Sequence, residues 1–360
     1  MNNAPAPLGS RQVGIFPGRV DSLDGLRALA VFAVVAYHAD LPLTIGGYIG
    51  VDVFFVLSGV LITTLLMREK ARFGFISLKL FYLRRALRLF PAVIVVSAVT
   101  ALAWWLVPFA PLRSETLWGT VAAVTYLSSW VRAFDISTLA YMGHTWSLAV
   151  EEAFYVVWPL AIIGFYRIRA NIRNLVIAAA VVGILYRLAA PTLFGWSSER
   201  IYNAPDTRAE QILIGCALAV ILGKSAIRVP FVYALASGAV LAAAAMFVPL
   251  DSVLYSQGGS TIIGLAAAVV IAHLWTDTES PLARLLRWTP LVWVGRRSYG
   301  IYLWHRPIFG LLFGAGLPLP VLAALGLVLT LAIPAFSFKY IEEPLLRVKD
   351  RMQTRGKAKC

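Results

Sequence analysis

Ten apolar runs, separated by short polar or basic loops, leave this chain little choice of fold. They lie near residues 24–40, 48–67, 89–109, 145–166, 174–193, 208–223, 229–249, 259–275, 293–314 and 318–340. A helix needs about 20 mostly apolar residues to cross a bilayer, and every backbone N–H and C=O must be paired within it. The third, seventh and tenth runs meet that need best. The fifth and sixth are weakened by Arg187 and Glu210. The sequence is 59% hydrophobic and 14% charged, whereas a soluble domain is near half apolar and a quarter charged. The expectation is an all-α protein, a polytopic transmembrane helical bundle of about ten spans.

Charge orients the bundle. A net charge of +14 on a soluble protein would suggest nucleic acid. Here the basic residues crowd into loops, at 68–88, 167–173 and 347–359, while 40–47, 250–258 and 314–318 have no Lys or Arg. Basic and non-basic loops alternate, which puts both termini in the cytoplasm and leaves no role for nucleic acid. Residues 1–20 are then a cytoplasmic segment, 21–346 the membrane domain and 347–360 a basic cytoplasmic tail. Arg27 interrupts the first run and no small-x-small site follows it, so that run is expected to be a retained span and not a cleaved signal. Residues 117–131 are apolar but short. An eleventh span there would invert every later loop, so a re-entrant or interfacial helix on the outer side is expected. Cys216 and Cys360 form no framework, and the four histidines lie in separate segments without ligand spacing. No metal site is expected.

Titratable groups inside a bilayer are expensive, so those within the runs carry information. "LDGLRALAVFAVVAYHAD" (23–40) holds Arg27 and His38, eleven positions apart. At about 100° per residue they share a helical stripe, about 16 Å apart along the axis. That stripe should face a protein-lined cavity. Alternatively, Arg27 snorkels to the inner surface and His38 is a satisfied core group. "GGYIGVDVFFVLSG" (46–59) follows a short loop. A tight hairpin would bring Asp52 beside His38, where a carboxylate can fix the imidazole tautomer. "FYLRRALRLFP" (81–91) places Arg84, Arg85 and Arg88 at an inner mouth; paired arginines suit a polyphosphate, and plain anchoring is the competing account. "HTWSLAVEEAFYVVWP" (144–159) puts His144 at a helix edge and Glu151 and Glu152 within the run, on different helix faces. "SYGIYLWHRP" (298–307) aligns Ser298, Tyr302 and His305.

Together these motifs resemble the membrane-bound acyltransferase-3 family. The likeness covers nearly the whole chain and rests on "LDGLRALAVFAVVAYH", "GVDVFFVLSG", "RRALRLFP", "HTWSLAVEEAFY" and "SYGIYLWHRP", in that order. Members O-acylate surface polysaccharides or small acceptors in the bacterial inner membrane. The resemblance implies acetyl-CoA or another acyl-CoA as donor, Arg27 and His38 as essential, and Arg85 with Arg88 serving the donor. It also implies a glycan or lipid-linked sugar acceptor, and polysaccharide-assembly proteins as possible partners. Larger members add a C-terminal hydrolase-like domain, which is not expected within these residues.

The expected mechanism follows. Coenzyme A phosphates rest on the basic inner face, and the thioester reaches the bundle interior along the Arg27–His38 stripe. His38, oriented by Asp52, takes the acceptor proton; a covalent acyl-histidine is the alternative. Tyr302, Ser58 or backbone amides are the available oxyanion donors. The competing class is a transporter or flippase for a glycan or small polar solute, in which the stripe lines a path.

Overall fold

The computed structural model describes residues 19–107, 109–169, 171–223 and 227–345. Among them every regular element is helical. The first half contains α1 (Asp21–His38), α2 (Gly50–Phe73), α3 (Leu78–Leu106), α4 (Arg113–Val124), α5 (Ser128–Ala133), α6 (Trp146–Arg167) and α7 (Ile172–Phe194). The second contains α8 (Ser198–Asn203), α9 (Pro205–Leu222), α10 (Phe231–Phe247), α11 (Ser260–Thr276), α12 (Pro281–Leu286), α13 (Thr289–Arg296), α14 (Ser298–Gly314) and α15 (Leu319–Ser337).

Nine of the ten apolar runs each follow one helix, the ninth (293–314) is divided at Arg297 between α13 and α14, and among the described residues six helices are long and apolar enough to cross a membrane. These are α2, α3, α6, α7, α11 and α15, four of them counted with an adjoining turn. The other four fall short for stated reasons. Helices α10 and α14 have 17 residues each. Helices α1 and α9 each carry three charged residues within 18. Residues 117–131 do not form one helix. The chain breaks after α4 at Tyr126, whose φ is +55°, and restarts as α5, so neither piece can cross a bilayer. The terminal segments and Cys360 lie outside the described residues.

Local signals explain several ends. Gly74 closes α2 in the left-handed region at φ +75°, where glycine pays no steric cost. The Ser77 hydroxyl caps α3 by accepting from the Leu80 N–H. Asn171 caps α7 through the Arg173 N–H. Helix α2 is the most enclosed of the long helices and packs chiefly on α9, with α1, α6 and α11 around it. Glycines make the α2–α9 crossing close: Gly59 lies against the Ile212 carbonyl and Gly215 against the Val56 carbonyl. On the outside, Leu102, Trp105, Val182, Leu185, Leu235 and Phe247 are exposed. Such an apolar exterior is what a lipid-facing wall requires.

Candidate active site

A chamber of about 350 Å³ opens between α1, α2, α3, α6 and α14. Its wall includes Arg27, Arg84, Arg85 and Arg88. Four guanidinium groups therefore face one space, against a single lining carboxylate, Glu151. Arg85 is held on two sides, by Glu152 at 3.4 Å and by the Tyr155 ring, 3.5 Å from its centroid. Arg27 has Asp24 at 3.6 Å, one turn back on its own helix. Arg88 has no ion-pair partner among the described residues and remains accessible within the chamber. A cluster of cations that its own carboxylates only partly balance, in a space lined by protein, has the charge and shape to suit an anion.

The far end of the chamber is closed by hydroxyls. Ser58 donates to Glu151 Oε1 at 2.6 Å. Tyr302 donates to the His144 carbonyl at 2.7 Å, so Ser147, also 2.7 Å from the phenol oxygen, donates to Tyr302. Both suggested oxyanion donors thus have their single proton engaged; Tyr302 and Ser58 shape the wall.

Beyond Tyr302 lie three histidines from three helical segments. The His38 and His305 rings are 4.9 Å apart and the His144 and His305 rings 5.0 Å. Carbonyl oxygens only accept, and this assigns the tautomers. His305 Nδ1, 2.6 Å from the Tyr302 carbonyl, carries a proton. His38 Nδ1, 2.9 Å from the Val34 carbonyl, does too. His305 Nε2 is then an acceptor, 3.1 Å from His38 Nδ1. The lone pair of neutral His38 is left on Nε2, in the correct form for a base. His144 Nε2 lies 3.2 Å from the Leu303 carbonyl.

Asp52 stands elsewhere, a correction to its expected place beside His38. It is fully buried and bonds to Arg208 and to the Tyr255 hydroxyl, 3.0 Å from its Oδ2. Arg208 is enclosed by the rings of Phe55, Trp146 and Tyr202. The hairpin between α1 and α2 brings the two helices together, but Asp52 points toward α9. Arg187 and Glu210, which weakened two runs in the sequence, form a second fully buried pair at 3.1 Å, a contact whose angle is not that of a hydrogen bond.

The structure therefore brings Arg27, Arg84, Arg85, Arg88, Glu151 and Tyr302 into one chamber, places Glu152 behind Arg85, and gathers His38, His144 and His305 beside it. No spacing in the sequence signals that the separate histidines converge. Arg208 and Tyr255 are partners that sequence reasoning misses. The charge of Arg208 inside an apolar run was the available signal, and its partner across 156 positions was not readable.

The fold and site define a multi-pass membrane protein built around a basic chamber. The chain belongs to the acyltransferase-3 family, whose model, described as an acyltransferase domain, matches residues 20–338. It is 36% identical to the peptidoglycan O-acetyltransferase OatA of Listeria monocytogenes over 356 residues, covering 91% of this chain and 56% of that protein. It is 32% identical to the O-acetyltransferase OatA of Staphylococcus aureus, covering 91% of this chain and 57% of that one. The chain thus spans about half the length of the curated relatives it matches. No solved structure matches it.

Proposed function

We propose that this protein is an integral membrane O-acetyltransferase that moves an acetyl group from acetyl-CoA to a hydroxyl of a cell-wall or surface glycan. The observation that carries the reading is the convergence of four arginines on one chamber whose wall residue Tyr302 packs against His144 and His305, the latter in contact with His38. About ten spans with both termini in the cytoplasm would open the chamber to cytoplasmic donor and place His38 toward the outer side of a bacterial cytoplasmic membrane. The names of the relatives favour a peptidoglycan-type acceptor.

Coenzyme A presents phosphates at one end of a long thin arm and a neutral thioester at the other. The arginines hold the phosphates. The arm extends past Glu151 and Ser58 toward Tyr302 and Ser147, which separate the chamber from the histidines. His38 Nε2 takes the proton of the acceptor hydroxyl as its oxygen attacks the thioester carbonyl. The carbon–sulfur bond then breaks, coenzyme A leaves as a thiolate that is protonated on release, and His38 returns its proton to water. His305 keeps Nδ1–H of His38 directed while charge develops on the ring.

The test uses the full chain in nanodiscs with radiolabelled acetyl-CoA and a defined peptidoglycan oligosaccharide. Donor binding and label transfer are expected of wild type, and binding without transfer of His38→Ala. Transfer that survives His38→Ala, or wild type that binds no acetyl-CoA, would sink the reading.

A further inference from the structure

Beside the three histidines sits a cation with no acid. Arg306 follows His305 on α14 and is half-buried. Its Nη2 makes one long bond, 3.4 Å, to the Ala140 carbonyl. Its Nε is buried without a partner, and its guanidinium lies over the Tyr141 ring, 5.4 Å from the centroid. Among the described residues no carboxylate forms an ion pair with it. A half-buried guanidinium with its Nε enclosed, in a membrane domain, is costly unless something offsets its charge. The chamber cannot supply that something, because Arg306 is not part of its wall.

The surroundings describe the missing partner. His38 is partly accessible yet does not line the arginine chamber, so its free surface opens elsewhere. Tyr37 packs against it with ring centroids 5.0 Å apart. Arg306 and Arg132 both lie within electrostatic range of Tyr37 and Tyr302, with Asp40 and Asp251 also in range of Tyr37 but not among the groups acting on Tyr302. Among the described residues Arg132 pairs with the exposed Glu199 alone, at 3.3 Å. Tyr37 is partly accessible and is backed by the buried Tyr48 ring. Positive charge beside aromatic faces suits a sugar that bears an anion.

We propose that Arg306 anchors the negative charge of the acceptor, so that the acceptor is an acidic glycan: Arg306 holds a carboxylate while a nearby hydroxyl meets His38. The step at His38 rests on the acetyl-transfer reading, whereas the binding contact stands by itself. Two sites then serve two substrates, with cations at the chamber for the donor and a separate cation beyond the histidines for the acceptor.

The experiment uses the full chain in nanodiscs and two oligosaccharide probes. One is a neutral N-acetylglucosamine tetramer. The other is a tetramer alternating N-acetylglucosamine with N-acetylmuramic acid, whose lactyl carboxylates are free. Wild type should bind the acidic tetramer at least about tenfold more tightly, the effect of one charge-assisted hydrogen bond. Arg306→Gln should erase that preference and Arg306→Lys should keep most of it, with acetyl-CoA binding intact in both as evidence of folding. Methyl esterification of the acidic tetramer tests the contact without altering the protein, and the ester should bind like the neutral probe. Equal binding of both tetramers by wild type overturns the proposal. So does a preference that survives Arg306→Gln. Unchanged binding with slower transfer to both glycans would instead assign Arg306 to the transition state and overturn it as well. Selective, Arg306-dependent binding without acetyl transfer would refute the acetyltransferase reading and leave the acceptor contact standing.

Discussion

His305 Nε2 lies 3.1 Å from His38 Nδ1, across 267 positions of sequence. With Nδ1 of each ring tied to a backbone carbonyl, the pair has one proton arrangement when neutral. In the proposed mechanism His305 takes the orienting part that a carboxylate fills in Ser-His-Asp triads.

That relationship predicts graded effects on transfer. His38→Ala should lower the rate by about 10²–10⁴-fold, the usual contribution of a general base. His305→Leu, which removes one of the two acceptors of Nδ1–H and leaves the Val34 carbonyl, should lower it by about tenfold. His305→Gln, which can place a carbonyl oxygen where Nε2 stands, should recover part of the loss. Acetyl-CoA binding should be unchanged in all three. A His305→Leu protein working at the wild-type rate would remove His305 from the mechanism.

Arg85 and Arg88 should separate in their effects. Arg88 has no ion-pair partner among the described residues, so Arg88→Gln should weaken coenzyme A binding by about tenfold, as loss of a charge-assisted contact does, and leave thermal stability nearly unchanged. Arg85→Gln strands Glu152, so it should weaken binding and also lower the melting temperature. Titrations of coenzyme A at low and high salt check the electrostatic origin: wild-type affinity should fall with salt, and less steeply in either variant.

Much of the architecture was legible because lipid imposes a simple rule on sequence. Nine of the ten predicted runs each follow one helix, and the arginines of "RRALRLFP" do share a space with Arg27. The misses have physical causes. Residues 117–131 are apolar enough for one helix, yet the backbone turns at Tyr126, a conformation that no local motif announced. Asp52 was assigned to His38 because the two lie on neighbouring helices. Its real partner, Arg208, is brought in by α9, and long-range pairing is invisible to periodicity. Arg187 and Glu210 looked like defects in two spans for the same reason: each made sense only with the other.

The Asp52–Arg208 pair should behave as structure. Removing one partner, as in Asp52→Ala, leaves a buried charge and should cost about 3–5 kcal/mol. The double change Asp52→Leu with Arg208→Met removes both charges and should cost much less than the sum of the single changes. Unfolding monitored in detergent gives the cycle. If Asp52→Ala instead kept wild-type stability but lost transfer with donor binding intact, Asp52 would belong to the chemistry after all.

The α2–α9 crossing makes the last prediction, because it joins packing to the chamber. A Cβ on Gly59 would collide with the Ile212 carbonyl, and one on Gly215 with the Val56 carbonyl. Both obstacles are backbone, which cannot rotate away as a side chain can. Gly59→Ala should therefore destabilise by about 1–3 kcal/mol, as overpacking does, and Gly59→Val should prevent stable folding. Ser58 precedes Gly59 and donates to Glu151 at 2.6 Å, so pushing α2 off α9 moves one wall of the chamber. Gly59→Ala should then weaken acetyl-CoA binding in the protein that remains folded, whereas Gly238→Ala, on α10 where a Cβ meets nothing within 4 Å, should change neither. Equal behaviour of the two alanine variants in melting and donor titrations would show that the close crossing does not hold the chamber in shape.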